Sequence, residues 1–267
     1  MKQDATFDMI VSIAEEEDVD IVAIAEMPST DIAKMQELCD KLNVKTPGLY
    51  KCLPFITGKE KVEVFYRNHV KIKSCFSNFK MYGKKLVVNG VEFGLVFCHL
   101  PAAMNGGNGQ KEANAEKFMR AVELLEKKHL RHRRTIICGD FNMNPFESGM
   151  TDVRYFNAVM DKAVANRKIR TFMDDDYYFF YNPMWGCLGD NGKGAIPGTY
   201  YYNASDPYLT YWNMLDQVII RPDVIPYFDD KGLKILTKGH TYNLLTNQGH
   251  PDKKISDHLP ILFTLKV

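Results

Sequence analysis

The chain has 267 residues, 45% of them hydrophobic and 25% charged, and a formal net charge of +1. That length buries a sizeable core in one domain, and the composition is ordinary for a soluble globular protein. No apolar run approaches the roughly 20 residues of a membrane span, and the near-zero charge offers no global field to draw in a polyanion.

In chain order, residues 7–17 read as a helix and residues 21–25 as a strand that ends at Glu26. Residues 29–42 read as a second helix, with Ser29 or Thr30 as its cap and Ile32, Met35, Leu38 and Leu42 facing inward. Candidate strands follow at 50–56, 61–66 and 69–75. Two more, at 85–88 and 91–98, are joined by Asn89-Gly90 into a type I′ hairpin that ends at His99. Ala115, Phe118, Val122 and Leu125 then recur at helical spacing before a basic cluster, 127–134. That cluster lies about 17 Å of strand from Asp140 and reads as helix-terminal charge on a solvated surface. A strand from Thr135 closes on Gly139-Asp140-Phe141-Asn142, a further helix spans 151–167, and the remainder is strand and loop, with strands at 199–203, 215–221, 233–238 and 261–266.

The six cysteines show no Cys-x-x-Cys spacing and read as reduced core thiols of a cytoplasmic protein. The start, Met1-Lys2-Gln3-Asp4, does not resemble a signal peptide. With no linker and no internal repeat, residues 1–267 read as one domain.

Chemistry concentrates at strand ends. Asp140 and Asn142, two residues apart after a buried-looking strand, would project from one face of the chain. Glu26 and His99 end earlier strands. In the second half the order reverses: Asp216 opens a strand, and Asp257 and His258 come just before one. If the later strands run antiparallel to the earlier ones, all five sites fall on one rim. Singly, Glu26 reads as a turn residue or cap and His99 as a structural histidine, and only the joint arrangement points to chemistry. Runs of strands with helices outside them give an α/β fold, a four-layer α/β sandwich of two mixed β-sheets packed face to face.

The succession Glu26, His99-Leu100-Pro101, Gly139-Asp140-Phe141-Asn142, Leu215-Asp216-Gln217-Val218 and Ser256-Asp257-His258-Leu259-Pro260 resembles the endonuclease/exonuclease/phosphatase superfamily over about residues 7 to 267. The resemblance implies a four-layer sandwich and metal-dependent phosphoester hydrolysis. Converging carboxylates repel by about 4 kcal/mol per pair at 4 Å and an effective dielectric near 20, so such a site calls for a hard cation, Mg²⁺ or Mn²⁺. By resemblance, Glu26 is the main metal ligand and Asp257 supports the metal or its waters. Asp140 orients or deprotonates the attacking water, Asn142 donates to a phosphate oxygen, Asp216 holds His258, and His99 approaches the same phosphate.

Aromatic residues crowd 177–181 and 200–212, where they read first as packing. The stretch 182–213 is the candidate substrate-shaping region, with Trp185 or Trp212 stacking on a base or sugar. Members of the family normally begin with a strand bearing an Asn in the middle of the first sheet, whereas here the chain opens almost directly into its first helix. The expectation is an N-terminally truncated domain, with the resulting seam covered by another segment or a neighbouring molecule. Three functions stand: a phosphodiesterase or nuclease acting on DNA or RNA, a hydrolase of phosphoinositides or other small or lipid phosphoesters, and a weakly catalytic binding domain.

Overall fold

The computed structural model describes residues 2–27, 32–45, 49–58, 60–102, 107–191, 196–204 and 210–267. Helix α1, Lys2–Glu16, begins earlier than its sequence pattern suggests and buries Phe7, Val11 and Ala14. After β1, Ile21–Ala25, helix α2, Ile32–Lys45, buries Met35, Leu38 and Leu42 but leaves Ile32 79% exposed. Ile32 sits in the first turn, beyond the reach of the face that packs. Its expected cap, Ser29 or Thr30, lies outside the described residues.

Strands β2, Tyr50–Cys52, β3, Val62–Arg67, β4, Lys71–Asn78, β5, Met81–Val88, and β6, Val91–His99, follow. Both turn residues between β5 and β6, Asn89 and Gly90, take positive φ, as a type I′ turn requires. Helix α3, Gly107–Leu124, passes through a π-helical turn, Leu125–Leu130, to β7, Thr135–Asp140. In that turn the basic cluster is partly structural. Arg133 and the buried Arg221 both pair with the buried Glu126, and Arg134 donates to the Glu92 carbonyl.

The long helix expected over 151–167 does not form. Instead α4, Ser148–Thr151, β8, Ala158–Val159, and α5, Lys162–Ala165, are divided by Asn157 at φ 47° and by Asp161, whose side chain caps α5 at the Val164 N–H. Val153 and Phe156, three apart, and Ala158 and Ala165, seven apart, are buried at spacings that imitate a helix. Then come β9, Ile169–Phe172, and β10, Asp175–Tyr178, an exposed hairpin with no alternation to read from sequence. The chain finishes with β11, Phe180–Tyr181, β12, Tyr200–Tyr201, β13, Trp212–Asn213, β14, Asp216–Ile220, β15, Phe228–Ile235, and β16, Ile261–Leu265.

One sheet runs β4-β5-β6-β7-β14-β11-β8 and is mixed, with β6–β7 and β8–β11 parallel. The facing layer is antiparallel and in two pieces, β1-β3-β2 and β15-β16. Val62 and Val64 meet Leu95, Phe97, Ile136 and Val218 between the layers. Phe118, Val122 and Leu125 cover the outside of the seven-stranded sheet, while α1 and α2 cover Phe65 and Tyr50 on the other side. The result is the four-layer α/β sandwich expected.

The seam is present and open. Residues 2–6 belong to α1 and add no strand, and among the described residues nothing pairs with the free edges of β1 and β16. Two adjoining cavities, of about 800 and 340 Å³, share Ile21, Ala23, Ala25 and Leu259–Leu262 on their walls. Among the described residues the expected covering is not there: α1 and the seven-stranded sheet close the two faces of the gap without meeting its edges.

One buried charge stands apart from the site. Glu63 on β3 is 0% exposed, neither carboxylate oxygen has a hydrogen-bond partner among the described residues, and burial pushes its carboxyl up to about 7. A carboxyl raised above its unfolded value of 4.5 costs nothing below that pH and its full amount above about 7. Glu63→Gln is therefore expected to stabilise the fold at pH 8 by about 3 kcal/mol and to change little at pH 4.5. Paired melting curves at the two pH values check this, and an equal shift at both would refute it.

Candidate active site

The parallel pairing of β6 with β7 sets His99 beside Asp140, and the antiparallel pairing of β7 with β14 sets Asp216 on Asp140's other side. Gly139 makes the approach possible. At its φ of 134°, a Cβ would lie 2.1 Å from the Cys98 carbonyl oxygen, so no side chain fits. His258 reaches the rim through an antiparallel bridge to Tyr200. The Thr199 carbonyl accepts the Leu259 N–H, while its hydroxyl accepts the N–H groups of Leu215 and Asp216. Glu26 follows β1 at φ 61°, a left-handed turn that aims its carboxylate back at the rim.

These side chains form two linked groups. His99 Nε2 lies 3.2 Å from Glu26 Oε1 and 3.8 Å from Asp140 Oδ2, and His258 Nδ1 lies 2.7 Å from Asp216 Oδ2. Asn142, at φ 50°, folds back so that its N–H reaches Asp140 Oδ1 and its amide reaches Asp140 Oδ2, each at 2.7 Å. The same amide donates to the Leu100 carbonyl at 2.8 Å. Both amide hydrogens of Asn142 are thus directed into the protein. Asp257 is exposed and lines the smaller cavity together with Glu26, His99, Asp140, Asp216 and His258.

The charges are strongly perturbed. Burial, and then the Asp216 charge, push the Asp140 carboxyl up to about 7. For His258, burial works against the charged form, but the hydrogen bond and charge of Asp216, helped by Asp140 and Asp257, raise it to about 9. Burial lowers His99 despite Glu26, with Lys80, Lys61 and His258 pulling the same way. The rim therefore carries excess negative charge around a protonated His258.

The donor set fits a hard divalent cation. Its available ligands are carboxylate oxygens, with Glu26 exposed at 75%, and the Asp140 carboxyl is held up by burial and by the Asp216 charge, which a cation would offset. Among the described residues no three His, Cys, Asp or Glu side chains converge as a chelating set.

An aromatic wall adjoins the rim, and only part of it is legible as functional in sequence. The Tyr200 ring lies 4.8 Å from His258 and 6.4 Å from Tyr202. Tyr201 stacks on His250 at 3.6 Å, and Trp212 meets both edge-on. Among the described residues Trp185 joins no such stack, and its indole N–H is buried without a partner. Tyr200, Thr199 and His250 carry no motif. Their place follows only from the pairing of β12 with β13 and the bridge to His258.

A four-layer α/β sandwich whose strand ends gather carboxylates and imidazoles on one rim defines a class, the sandwich-fold hydrolases of phosphoesters. The profile of the Endonuclease/Exonuclease/phosphatase family matches residues 4–258, and the chain belongs to that family. Its members are phosphoester hydrolases, generally metal-dependent. No curated protein matches the chain in sequence. Among solved structures, the fold is similar to an endonuclease/exonuclease/phosphatase family protein from Bacteroides thetaiotaomicron, with 17% identity over 98% of this chain and 89% of that one and a TM-score of 0.58. A mannosyl-6-phosphatase from the same organism gives 17% identity, 99% and 92% coverage and a TM-score of 0.58. Danio rerio TDP2 complexed with single-strand DNA product gives 15%, 100% and 94%, and 0.54. Among the described residues no helix is long and apolar enough to cross a membrane.

Proposed function

We propose that the chain is a Mg²⁺- or Mn²⁺-dependent phosphodiesterase that cleaves nucleic acid. The observation that carries this reading is the pair of linked groups, Glu26–His99–Asp140 and Asp216–His258, facing one another at a single rim. Glu26, with Asp257 lining the same cavity, would hold the cation, which would polarise the phosphoryl oxygen and neutralise developing charge.

Asp140 takes the proton of the attacking water, and Asn142 keeps its carboxylate aimed, a positioning part rather than a contact to phosphate. Asp216 accepts from His258 Nδ1, which fixes the ring and leaves Nε2 to donate to a phosphate oxygen as charge builds. His99, held by Glu26, approaches the same oxygens from the other side. The Tyr200 ring next to His258, with Tyr202 stacked on Tyr200 and Trp212 set edge-on to His250, favours a substrate with planar bases over an aliphatic lipid.

Single- and double-stranded DNA, RNA, phosphorylated sugars and phosphoinositides, each offered with Mg²⁺ or Mn²⁺ and with chelator, test the reading. Cleavage of nucleic acid alone is the expected result, and turnover confined to the lipids or sugars overturns the substrate assignment. Glu26→Gln is expected to raise the metal concentration for half-maximal rate by about 10- to 100-fold. An unchanged metal dependence would remove Glu26 from its role.

A further inference from the structure

Two lysines stand at the rim without a part in the chemistry assigned to it. Ala25 pairs with Val62 in the last step of the β1–β3 ladder, so Glu26 and Lys61 both come one residue beyond it. Cys98 pairs with Met81 in the last step of the β5–β6 ladder, so His99 and Lys80 stand in the same relation. Each lysine is thereby set across a ladder from one member of the Glu26–His99 pair. Both are close enough to act on the imidazole. Burial is the main cause that lowers His99, and Lys80 and then Lys61 add to it.

The chain is held firmly at both positions. Glu60, next to Lys61, is buried, and its carboxylate takes Lys84 Nζ of β5 at 3.0 Å and the Ile56 N–H at 2.7 Å. Lys80 occupies the second place of the two-residue turn between Asn78 and Met81, where Phe79 has φ 36° and Lys80 φ 57°. The turn at the other end of β5 meets the same backbone demand with Asn89-Gly90, the residues that suit it. A side chain resists left-handed backbone, and strain of this kind gathers at functional sites. Phe79 packs against the core cluster that includes Phe118 and Val122, with Lys117 Nζ 4.3 Å from its ring centroid. Lys80 is left half-buried and Lys61 exposed. Among the described residues neither ammonium pairs with a carboxylate, and Glu26, the acid nearest to Lys61 by register, is turned to His99.

On an ordinary surface such ammonium groups would need no function, but this rim is otherwise acidic. Glu26, Asp140, Asp216 and Asp257 line it, and a net charge of +1 supplies no wider field to hold a polyanion. A cation at Glu26 would offset the scissile phosphate alone. The next phosphate along a nucleic-acid strand would meet the same acids uncompensated. Lys61 and Lys80 are placed to receive it, each as a compact charge with three donors.

We propose that Lys61 and Lys80 form a subsite for a second, uncleaved phosphate of the substrate strand, adjacent to the scissile one. The subsite rests on the nucleic-acid reading of the rim, and it makes these two lysines the residues that favour a polymer over a lone phosphoester.

The test compares the thymidine dinucleotide, which has one phosphodiester, with the trinucleotide, which has two and so offers a neighbouring phosphate whichever is cut. In the parent, KM is expected to be about 10-fold lower for the trinucleotide. Lys61→Gln combined with Lys80→Gln should abolish that preference while KM and kcat on the dinucleotide stay within about twofold. Lys61→Arg with Lys80→Arg should keep it, since the charge remains. The dependence of log KM on log salt for the trinucleotide should also be shallower in the glutamine variant, by about 0.7, the release of counterion from one phosphate of a single strand. No preference in the parent, an unchanged preference in the glutamine variant, or equal losses on both substrates would overturn the subsite and leave the nucleic-acid reading standing. Cleavage of neither thymidine substrate, alongside turnover of a sugar or lipid phosphate, would overturn that reading and the subsite with it.

Discussion

Asp140→Asn is expected to lower kcat on any cleaved phosphoester by about 10³-fold while leaving the fold intact. The carboxylate sits between His99 and Asp216 across the strand ladder and is held by two bonds from Asn142, so the substitution removes a proton acceptor without opening a cavity. The effect on stability should depend on pH. Burial and the Asp216 charge raise the Asp140 carboxyl to about 7 in the fold, from an ordinary value of 3.8. Its ionisation therefore weakens the fold as pH rises through that interval and weighs fully above about 7. The asparagine keeps one of the two oxygens that accept from Asn142, so it should be less stable than the parent at pH 4 and should recover part or all of that difference at pH 8. Rates measured under single-turnover conditions, with melting curves at both pH values, check the two halves together. Retention of more than about a tenth of the rate would remove Asp140 from proton transfer and return the rim carboxylates to metal binding alone.

How much of this was legible in the sequence depends on what each residue's position was tied to. Glu26, His99, Asp140 and Asp216 each bound an apolar run, and a run of that kind fixes both a strand and its end, so their meeting at a rim followed once the later strands were taken as antiparallel. The same logic located the hairpin at Asn89-Gly90 and the face of α3. Where burial does not follow a single period, the sequence misleads. Val153 with Phe156 and Ala158 with Ala165 imitate a helix although Asn157 and Asp161 break it, while β9 is exposed throughout and β10 buries only part of Tyr177 and Tyr178, so no alternation marks that hairpin. The turn of Asn142 back onto Asp140 depends on a left-handed backbone that the tetrapeptide permits but does not announce. Least legible were contacts between distant segments. The pairing of Arg221 with Glu126 and the stack of Tyr201 on His250 join residues whose proximity only the completed sheets decide.

The coupling between Asp216 and His258 should be as large as the effect of either residue alone. Asp216 accepts from His258 Nδ1 at 2.7 Å, and Tyr200 packs on the ring at 4.8 Å, so the imidazole is fixed in place and its free nitrogen is turned to the rim. Removing the carboxylate releases the ring and withdraws the interaction that overcomes burial in raising His258 to about 9. His258→Gln is expected to lower kcat by about 10²- to 10³-fold, the usual cost of one donor to a developing oxyanion. Asp216→Asn should cost about the same, because without its partner the imidazole neither holds its orientation nor stays protonated at neutral pH. If the two act as one device, the double variant is no slower than the worse single variant, within about threefold. The pH profile supplies the second readout. For Asp216→Asn activity should recover on acidification, as the displaced ring regains its proton, whereas His258→Gln should show no such recovery. Multiplicative losses in the double variant, or identical pH profiles for the two single variants, would mean that Asp216 serves the site by some route other than His258.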